Sequence, residues 1–117
     1  MNKTEQKIVK AFFNQNGKTI ANTTILIDGQ TTFLILYGSI IAKYEQGTIY
    51  IRHKGHISKL TKSRLSAIIS YATNNIMSVK IKDGKMYLYY NDTIVTALED
   101  TSYIPVHISS VFKSKGV

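Results

Sequence analysis

The sequence predicts an α+β domain in which a twisted antiparallel sheet of about five to six strands carries two helices on one face. Apolar residues recur at helical spacing in residues 4–15 and 62–73. The remaining segments alternate with the period of a strand or form short apolar runs. Together they predict one domain over residues 1–117, with the order α-β-β-β-α-β-β and one further strand after these.

The first helix, residues 4–15, is predicted to begin after Thr4 as N-cap and to stop at Gly17. Its apolar side contains Ile8, Val9, Phe12 and Phe13. This pattern is typical of an amphipathic helix packed on a sheet, with lysines on the opposite side.

The second helix, residues 62–73, carries the more complete set of signals. Thr61 is its predicted N-cap, because a Thr hydroxyl accepts a hydrogen bond from a free N–H group of the first turn. Leu60 and Leu65 would then form a hydrophobic staple. The Asn74-Asn75 pair is typical of a helix end, since Asn tolerates left-handed backbone. The predicted buried face consists of Leu65, Ile68, Ile69, Ala72 and Ile76.

The strands between the helices begin with a hairpin of residues 20–27 and 31–37 around Asp28-Gly29. Residues 33–37 are apolar on both faces, which is typical of a central strand covered on both sides.

Gly38 and Ser39 predict a bulge or bend, after which residues 40–44 continue the strand. A turn at residues 45–47 leads into residues 48–52. There, Ile49 and Ile51 face one side of the sheet, and Tyr50 and Arg52 face the other.

A second hairpin, residues 76–82 and 85–90, surrounds Asp83-Gly84, and its two-residue turn determines the register. The apolar pairs are Ile81 with Met86, Val79 with Leu88, and Met77 with Tyr90. The pairs on the other face are Lys82 with Lys85, Lys80 with Tyr87, and Ser78 with Tyr89.

The C-terminal part follows a turn at Asn91-Asp92. Residues 93–98 add a strand, and Pro105 confines residues 103–111 to an edge strand or an extended segment. The last few residues are expected to be frayed.

Positive charge is concentrated in the middle of the chain. The formal net charge is +8, and residues 46–82 contain seven Lys or Arg residues and no Asp or Glu. Lys62 and Arg64 fall in the first turn of the predicted second helix, where the helix dipole disfavours cations. An anion bound at that helix end would offset the cost. The alternative is a solvated basic surface, in a composition that an AT-rich genome would also favour.

Nucleic-acid binding is the function that these patterns favour. Lysines would contact phosphates while tyrosine rings stack on bases. The predicted binding residues are Arg52, Lys54, Lys59, Thr61, Lys62, Arg64, Lys80, Lys82, Lys85, Tyr87 and Tyr89. Tyr is also a favoured strand residue, and Lys protects sheet edges, so the Lys-Tyr hairpin has a purely structural interpretation as well.

The second candidate function is a non-enzymatic, protein-binding inhibitor of a host or defence enzyme or nucleoprotein complex. Its partner would be an acidic host protein surface instead of nucleic acid. The sequence determines neither the strand type of a nucleic-acid partner nor a protein target. An exposed sheet edge would also allow a homodimer.

Catalysis and cofactor binding are not expected. Asp28, Asp83 and Asp92 lie in turn dipeptides that account for them, and no phosphate-binding loop or nucleophile motif is present. His53 and His56 lack a nearby third ligand for a metal, so they more simply extend the basic turn.

The compartment is predicted from what the sequence lacks. The chain has no Cys, no apolar run long enough to span a bilayer and no N-terminal signal-like segment. We therefore expect a soluble cytoplasmic protein that does not bind membranes.

Part of the chain resembles a family of small bacteriophage proteins. The matching residues are Phe33 to Ala42, then Ile49-Tyr50-Ile51 with Gly55, then Thr61 to Leu65. Ser39 and His56 stand where that pattern has Asn and an aromatic residue. The resemblance implies a phage or other mobile-element origin and no particular activity.

The order helix, three strands, helix is similar to that of double-stranded-RNA-binding domains, although the Lys-rich run at their second helix is absent. A five-stranded single-strand-binding barrel is the competing architecture, which the N-terminal helix disfavours.

Overall fold

The computed structural model describes residues 1–108, which contain two helices and nine strands. In chain order these are α1 (Lys3–Phe13), β1 (Lys18–Ile20), β2 (Thr23–Asp28), β3 (Thr31–Leu36), β4 (Ser39–Glu45), β5 (Thr48–Ile51), α2 (Lys59–Ala72), β6 (Met77–Lys82), β7 (Lys85–Tyr90), β8 (Thr93–Ala97) and β9 (Ile104–His107). The α+β class and both helices are confirmed. The strands are more numerous than the five to six predicted, and they divide between two sheets.

The larger sheet has six antiparallel strands in the order β1-β2-β3-β4-β5-β9. Its first five strands form a meander, in which each strand pairs with the next one along the chain. The predicted hairpin at Asp28-Gly29 is confirmed, with Asp28 opposite Thr31. The predicted turn into β5 is also confirmed, since Glu45 pairs with Thr48 across Gln46-Gly47.

Two further reversals in this meander differ from the prediction. Ala21 adopts left-handed backbone, with φ 54°, so the strand expected over residues 20–27 is split into β1 and β2. Tyr37 and Gly38, with φ 50° and 79°, reverse the chain between β3 and β4. The prediction that residues 40–44 continue the preceding strand is therefore wrong. Ala and Tyr rarely adopt positive φ, so neither turn has the sequence signal of an Asp-Gly pair.

The smaller sheet has the order β6-β7-β8. All six predicted pairs of the β6–β7 hairpin are confirmed, from Lys82 opposite Lys85 to Met77 opposite Tyr90. Asp83 and Gly84 have φ 52° and 77°, as a type I′ turn requires, and this turn geometry determines the register. The predicted strand after Asn91-Asp92 is present as β8.

Helix α2 connects the two sheets through one hydrophobic core. It contacts α1, β4 of the larger sheet and β6 of the smaller sheet, whereas α1 packs on β1, β2 and β3. Its buried residues, which include Arg64 and Ala67 besides the predicted apolar face, cover a wider arc than a helix on one sheet needs. The expectation that both helices lie on one face of a single sheet is therefore wrong. The predicted face is buried at Leu65, Ile68, Ile69 and Ala72, while Ile76 is partly buried.

Helix α1 begins earlier than predicted because its N-cap is Asn2 and not Thr4. Asn2 Oδ1 accepts a hydrogen bond from the Glu5 N–H at 2.8 Å, and the Asn2 N–H donates to Glu5 Oε1 at 3.1 Å. This capping box satisfies two backbone donors, one more than Thr4 alone would satisfy. The helix ends at Phe13, before Gln15 at φ 53°, so Gly17 is not its stop.

Helix α2 also begins earlier than predicted, with Ser58 as N-cap. Ser58 Oγ accepts a hydrogen bond from the Thr61 N–H at 3.2 Å. Thr61 itself is a residue of the helix, and its side chain is only 1% exposed. The predicted Thr61 cap and the staple of Leu60 with Leu65 are therefore wrong. The predicted helix end is confirmed, since Asn74 and Asn75 both have positive φ.

Residues 98–103 carry the chain from β8 to the edge of the larger sheet. The Leu98 N–H donates to Met86 O at 2.9 Å, and the His53 N–H donates to Glu99 O at 3.0 Å. Pro105 then lies in β9, which has β5 as its neighbour on one side, so the predicted edge strand is confirmed. The expected fraying of the last residues concerns positions outside the described range 1–108.

We expect Ser58→Ala to lower the free energy of unfolding by about 1 kcal/mol, because it removes the side-chain acceptor at the start of α2. Urea denaturation followed by circular dichroism would measure the change. Ser63→Ala is the matched control, since this serine lies in the same helix and does not cap it. Equal stability of the two variants would contradict Ser58 as the cap.

Candidate nucleic-acid interface

The polar side of the smaller sheet faces solvent, because its other side packs in the core. Val79, Met86 and Leu88 are buried on the inner side. Side chains alternate along a strand, so the residues between them point outward. This outer side, which we call the Lys/Tyr face, carries Lys80, Lys82, Lys85, Tyr87 and Tyr89. The structure therefore brings five of the predicted binding residues onto one surface.

The tyrosines of the Lys/Tyr face lie among its cations. Tyr87 is opposite Lys80, and the Lys80 Nζ lies 4.8 Å from the centroid of the Tyr89 ring. Both rings are half-buried, and Ile94 of β8 is the partner of Tyr89 on the adjacent strand. Partial burial limits the rotamers of each ring while leaving part of its surface accessible. Such a surface can stack bases and place ammonium groups beside their phosphates.

The basic residues at the start of α2 do not lie on the Lys/Tyr face. Lys59 is exposed in the first turn, Lys62 is partly buried, and Arg64 is buried one turn further along. The inner side of β6 separates this helix from the Lys/Tyr face, and the Val79 N–H donates to Ser66 Oγ of the helix at 3.2 Å. The structure therefore separates the basic residues of α2 from the Lys/Tyr face and does not join them into one path.

Thr61 is a predicted binding residue whose hydroxyl is already engaged. Its side chain is buried, and Thr61 Oγ1 lies 3.1 Å from Ser58 Oγ. A phosphate contact through this hydroxyl would require the buried side chain to become exposed and to give up its contact with Ser58 Oγ. Thr61 therefore supports the helix start and is not an accessible donor.

Arg52 is held by the backbone. Its Nε donates to Ile40 O at 2.8 Å, and its Nη1 donates to Thr101 O at 2.9 Å. The guanidinium also lies 4.3 Å from the centroid of the Tyr103 ring. These contacts attach the segment before β9 to β4, so Arg52 has a structural role in addition to its predicted one. Lys54, with φ 55°, lies in the turn that follows β5.

A cation–aromatic cluster that is not predicted from the sequence lies beside Arg52. The Lys43 Nζ lies 5.0 Å from the Tyr50 ring centroid and 4.8 Å from the Tyr103 ring centroid. The Lys43–Tyr50 pair follows from the Gln46-Gly47 turn and could be derived by counting back along β4 and β5. Tyr103 gives no such signal, because only the fold brings it to this place.

The histidines of the basic turn make one local contact and one contact with β4. His53 Nδ1 accepts a hydrogen bond from the Gly55 N–H at 3.0 Å, and His56 Nε2 lies 3.1 Å from Ser39 Oγ. Within residues 1–108, no group of three or more His, Asp or Glu side chains could hold a metal ion. In the same residues, no helix is long and apolar enough to cross a membrane.

A comparison with protein families identifies the origin that the sequence resemblance implies. The family described as Kyanoviridae Gp96 protein matches residues 1–105. The chain belongs to this family of phage proteins. No curated protein and no solved structure matches the chain. The expected phage origin is thus confirmed, while the role of each candidate residue stays a prediction.

We expect Arg52→Lys to lower the free energy of unfolding by about 1–3 kcal/mol. The lysine keeps the charge but cannot reproduce two divergent hydrogen bonds to the carbonyls of Ile40 and Thr101. Denaturant unfolding would measure the loss, with Lys54→Gln in the adjacent turn as the control. A variant as stable as the wild type would show that these bonds do not hold the 98–103 segment.

Proposed function

We propose that this phage accessory protein binds single-stranded nucleic acid through the Lys/Tyr face and does so without catalysis. One observation carries the proposal: three lysines share one solvent-facing side of an antiparallel sheet with two half-buried tyrosine rings, one of which lies 4.8 Å from the Lys80 Nζ. Bases can stack on such rings when they are not paired in a duplex, which favours a single strand. The protein would act in the cytoplasm of the infected cell.

The electrostatics support a polyanionic partner. Lys80, Lys82 and Lys85 are exposed, and none is paired with a carboxylate of the described residues. The nearest carboxylate along the chain, Asp83, is in the turn that joins the two strands. Three free ammonium groups on one small face would release counterions from a phosphate backbone on binding.

A binding function also agrees with what the surface provides. The Lys/Tyr face offers ammonium groups and phenol rings but no carboxylate pair, which metal-dependent nucleases need. Lysine binds phosphate as a point charge and does not read base edges in a bidentate way. We therefore propose binding with little sequence preference.

The outer side of the larger sheet favours the second candidate function, inhibition of a host or defence protein. Leu26 is 49% exposed and pairs with Phe33, and Ile35 lies further along the same side of β3. Exposed apolar residues on a sheet are common in protein interfaces. Absence of oligonucleotide binding even at low salt would favour this function over nucleic-acid binding.

We expect the triple substitution Lys80→Gln, Lys82→Gln and Lys85→Gln to weaken single-strand binding at least about tenfold. It should also reduce the log–log salt slope by about 2, because three phosphate contacts are lost. Fluorescence-anisotropy titrations at several salt concentrations, with single-stranded and double-stranded DNA and RNA, would measure both quantities.

The matched control replaces Lys7, Lys10 and Lys18, which are exposed on α1 and β1. It makes the same change in net charge outside the smaller sheet. Equal losses from both triple substitutions would indicate a general charge effect and would contradict a site on the Lys/Tyr face.

We expect Tyr89→Leu to weaken single-strand binding by about 1–3 kcal/mol while leaving the salt slope unchanged, because it removes a stacking ring but no charge. Tyr90→Leu is the control, since Tyr90 is the next residue of β7, faces the other side of the sheet and is 42% exposed. Anisotropy titrations with short homopolymers would compare them. Identical affinities of the two variants would exclude stacking on Tyr89.

A further inference from the structure

The first turns of the two helices meet at a cleft that is separate from the Lys/Tyr face. Its volume is about 440 Å³, within the range of small-ligand sites. Residues from both helices line it, among them Thr4, Glu5, Lys59, Leu60, Ser63 and Arg64. We call it the helix-junction cleft. It joins two helix N-termini, a cation at the start of α2 and a buried guanidinium.

Arg64 is the residue that makes this cleft unusual. It is only 6% exposed, and its Nε donates to the hydroxyl of the fully buried Thr23 at 3.0 Å. No carboxylate of the described residues forms an ion pair with it. A cation this deeply buried is costly unless it is paired, so an anion bound beside it would offset that cost.

The terminal nitrogens of Arg64 keep some access to solvent. The Arg64 Nη atoms make no hydrogen bond within residues 1–108. In this range, the only fully enclosed side-chain atom without a hydrogen-bond partner is Thr32 Oγ1, so the Nη atoms are not fully enclosed. Arg64 is also one of the residues that line the helix-junction cleft, so an anion in this cleft would lie close to its side chain. The hydrogen bond to Thr23 orients the guanidinium, so its outer edge presents donors in a defined direction.

The backbone adds donors of the same kind. The Thr61 N–H of α2 and the Glu5 N–H of α1 are taken by their N-caps. The N–H groups of the first two residues of each helix have no intrahelical acceptor, and Leu60 and Thr4 are at these positions. Each helix end also carries about half a positive charge.

The charges in the cleft add up to the charge of a phosphate monoester. Lys59 and Arg64 are cations, Glu5 is the one carboxylate, and two helix ends contribute about half a charge each. The sum is about two positive charges, and a phosphate monoester carries nearly two negative charges at neutral pH. Glu5 remains engaged through Oε1 in the capping box of α1. We propose that the helix-junction cleft binds the terminal phosphate of a phosphate monoester.

This site is independent of the proposed function, because the smaller sheet separates α2 from the Lys/Tyr face. Arg64 and Lys59 would donate to the phosphate oxygens, with the Leu60 N–H and the Ser63 hydroxyl as further donors. Two sources carry the same chemistry: a small phosphorylated molecule such as a nucleotide, and the phosphorylated end of a nucleic-acid strand.

The test is a ¹H–¹⁵N NMR titration of the whole protein with inorganic phosphate, at ionic strength held constant with sodium chloride. We expect saturable shifts of the Leu60 amide and the Arg64 Nε–Hε signals. Lys59→Gln should raise the dissociation constant about tenfold, because one charge-assisted contact is lost. Lys10→Gln, on the exposed side of α1, is the control and should bind as the wild type does. Shifts that never saturate, or equal affinities of Lys59→Gln and wild type, would overturn the proposal.

Arg64→Lys tests the buried guanidinium. The substitution keeps the positive charge but removes the planar set of guanidinium N–H donors. Phosphate binding should therefore weaken at least about tenfold in a folded variant. Lys59→Gln lies on the surface and keeps the test decisive if Arg64→Lys does not fold. Wild-type phosphate affinity in folded Arg64→Lys would contradict the assignment.

Two oligonucleotides that differ only in a 5′-phosphate or 5′-hydroxyl distinguish the sources. Tighter binding of the phosphorylated strand, lost in Lys59→Gln, would identify a strand end. Equal binding of both strands, with phosphate still bound by the wild type, would identify a small phosphorylated molecule. The triple Lys80, Lys82 and Lys85 variant should keep phosphate binding. Failure of the Lys/Tyr face and failure of the cleft are thus separate results.

Discussion

The packing of α2 between the two sheets is the interaction on which the rest of the structure depends. Leu65, Ile68 and Ile69 are fully buried, and the helix contacts β4, β6 and α1. By covering the inner side of the smaller sheet, the helix leaves the other side open to solvent. By meeting α1, it places two helix N-termini next to one another. Both candidate binding surfaces therefore result from where one helix is buried.

This arrangement links stability to function through the alternation of side chains. In β7, Met86 and Leu88 stabilise the core, and Tyr87 and Tyr89 between them form the Lys/Tyr face. A slip of one residue would expose the first pair and bury the second. The Asp83-Gly84 turn prevents that slip, because its backbone geometry permits a single pairing. The position of the tyrosines is thus determined by a turn that contains neither of them.

How much of the candidate site could be predicted depended on the sequence distance between its parts. The five residues of the Lys/Tyr face lie within one hairpin, and counting outward from its turn placed them correctly. Arg52 was predicted to extend a phosphate path, yet its hydrogen bonds to Ile40 and Thr101 come from segments that its own neighbourhood does not reveal. The burial of Arg64 against Thr23, a residue 41 positions away, was equally inaccessible to local patterns.

The sequence by itself determined the helices, the hairpin registers and the concentration of charge, because each depends on residues within about one turn or one hairpin of each other. It missed the turn at Ala21, and at Tyr37-Gly38 it predicted a bulge or bend where the chain reverses; Ala21 and Tyr37 disfavour the positive φ that they adopt in the surrounding sheet. Only the tertiary structure decided that the strands form two sheets, that the basic residues of α2 lie apart from the Lys/Tyr face and that the Arg64 guanidinium is buried against Thr23. The physical reason is that burial and long-range strand pairing depend on the free energy of the whole core. That free energy depends on contacts between distant residues, which a local stretch of sequence does not reveal.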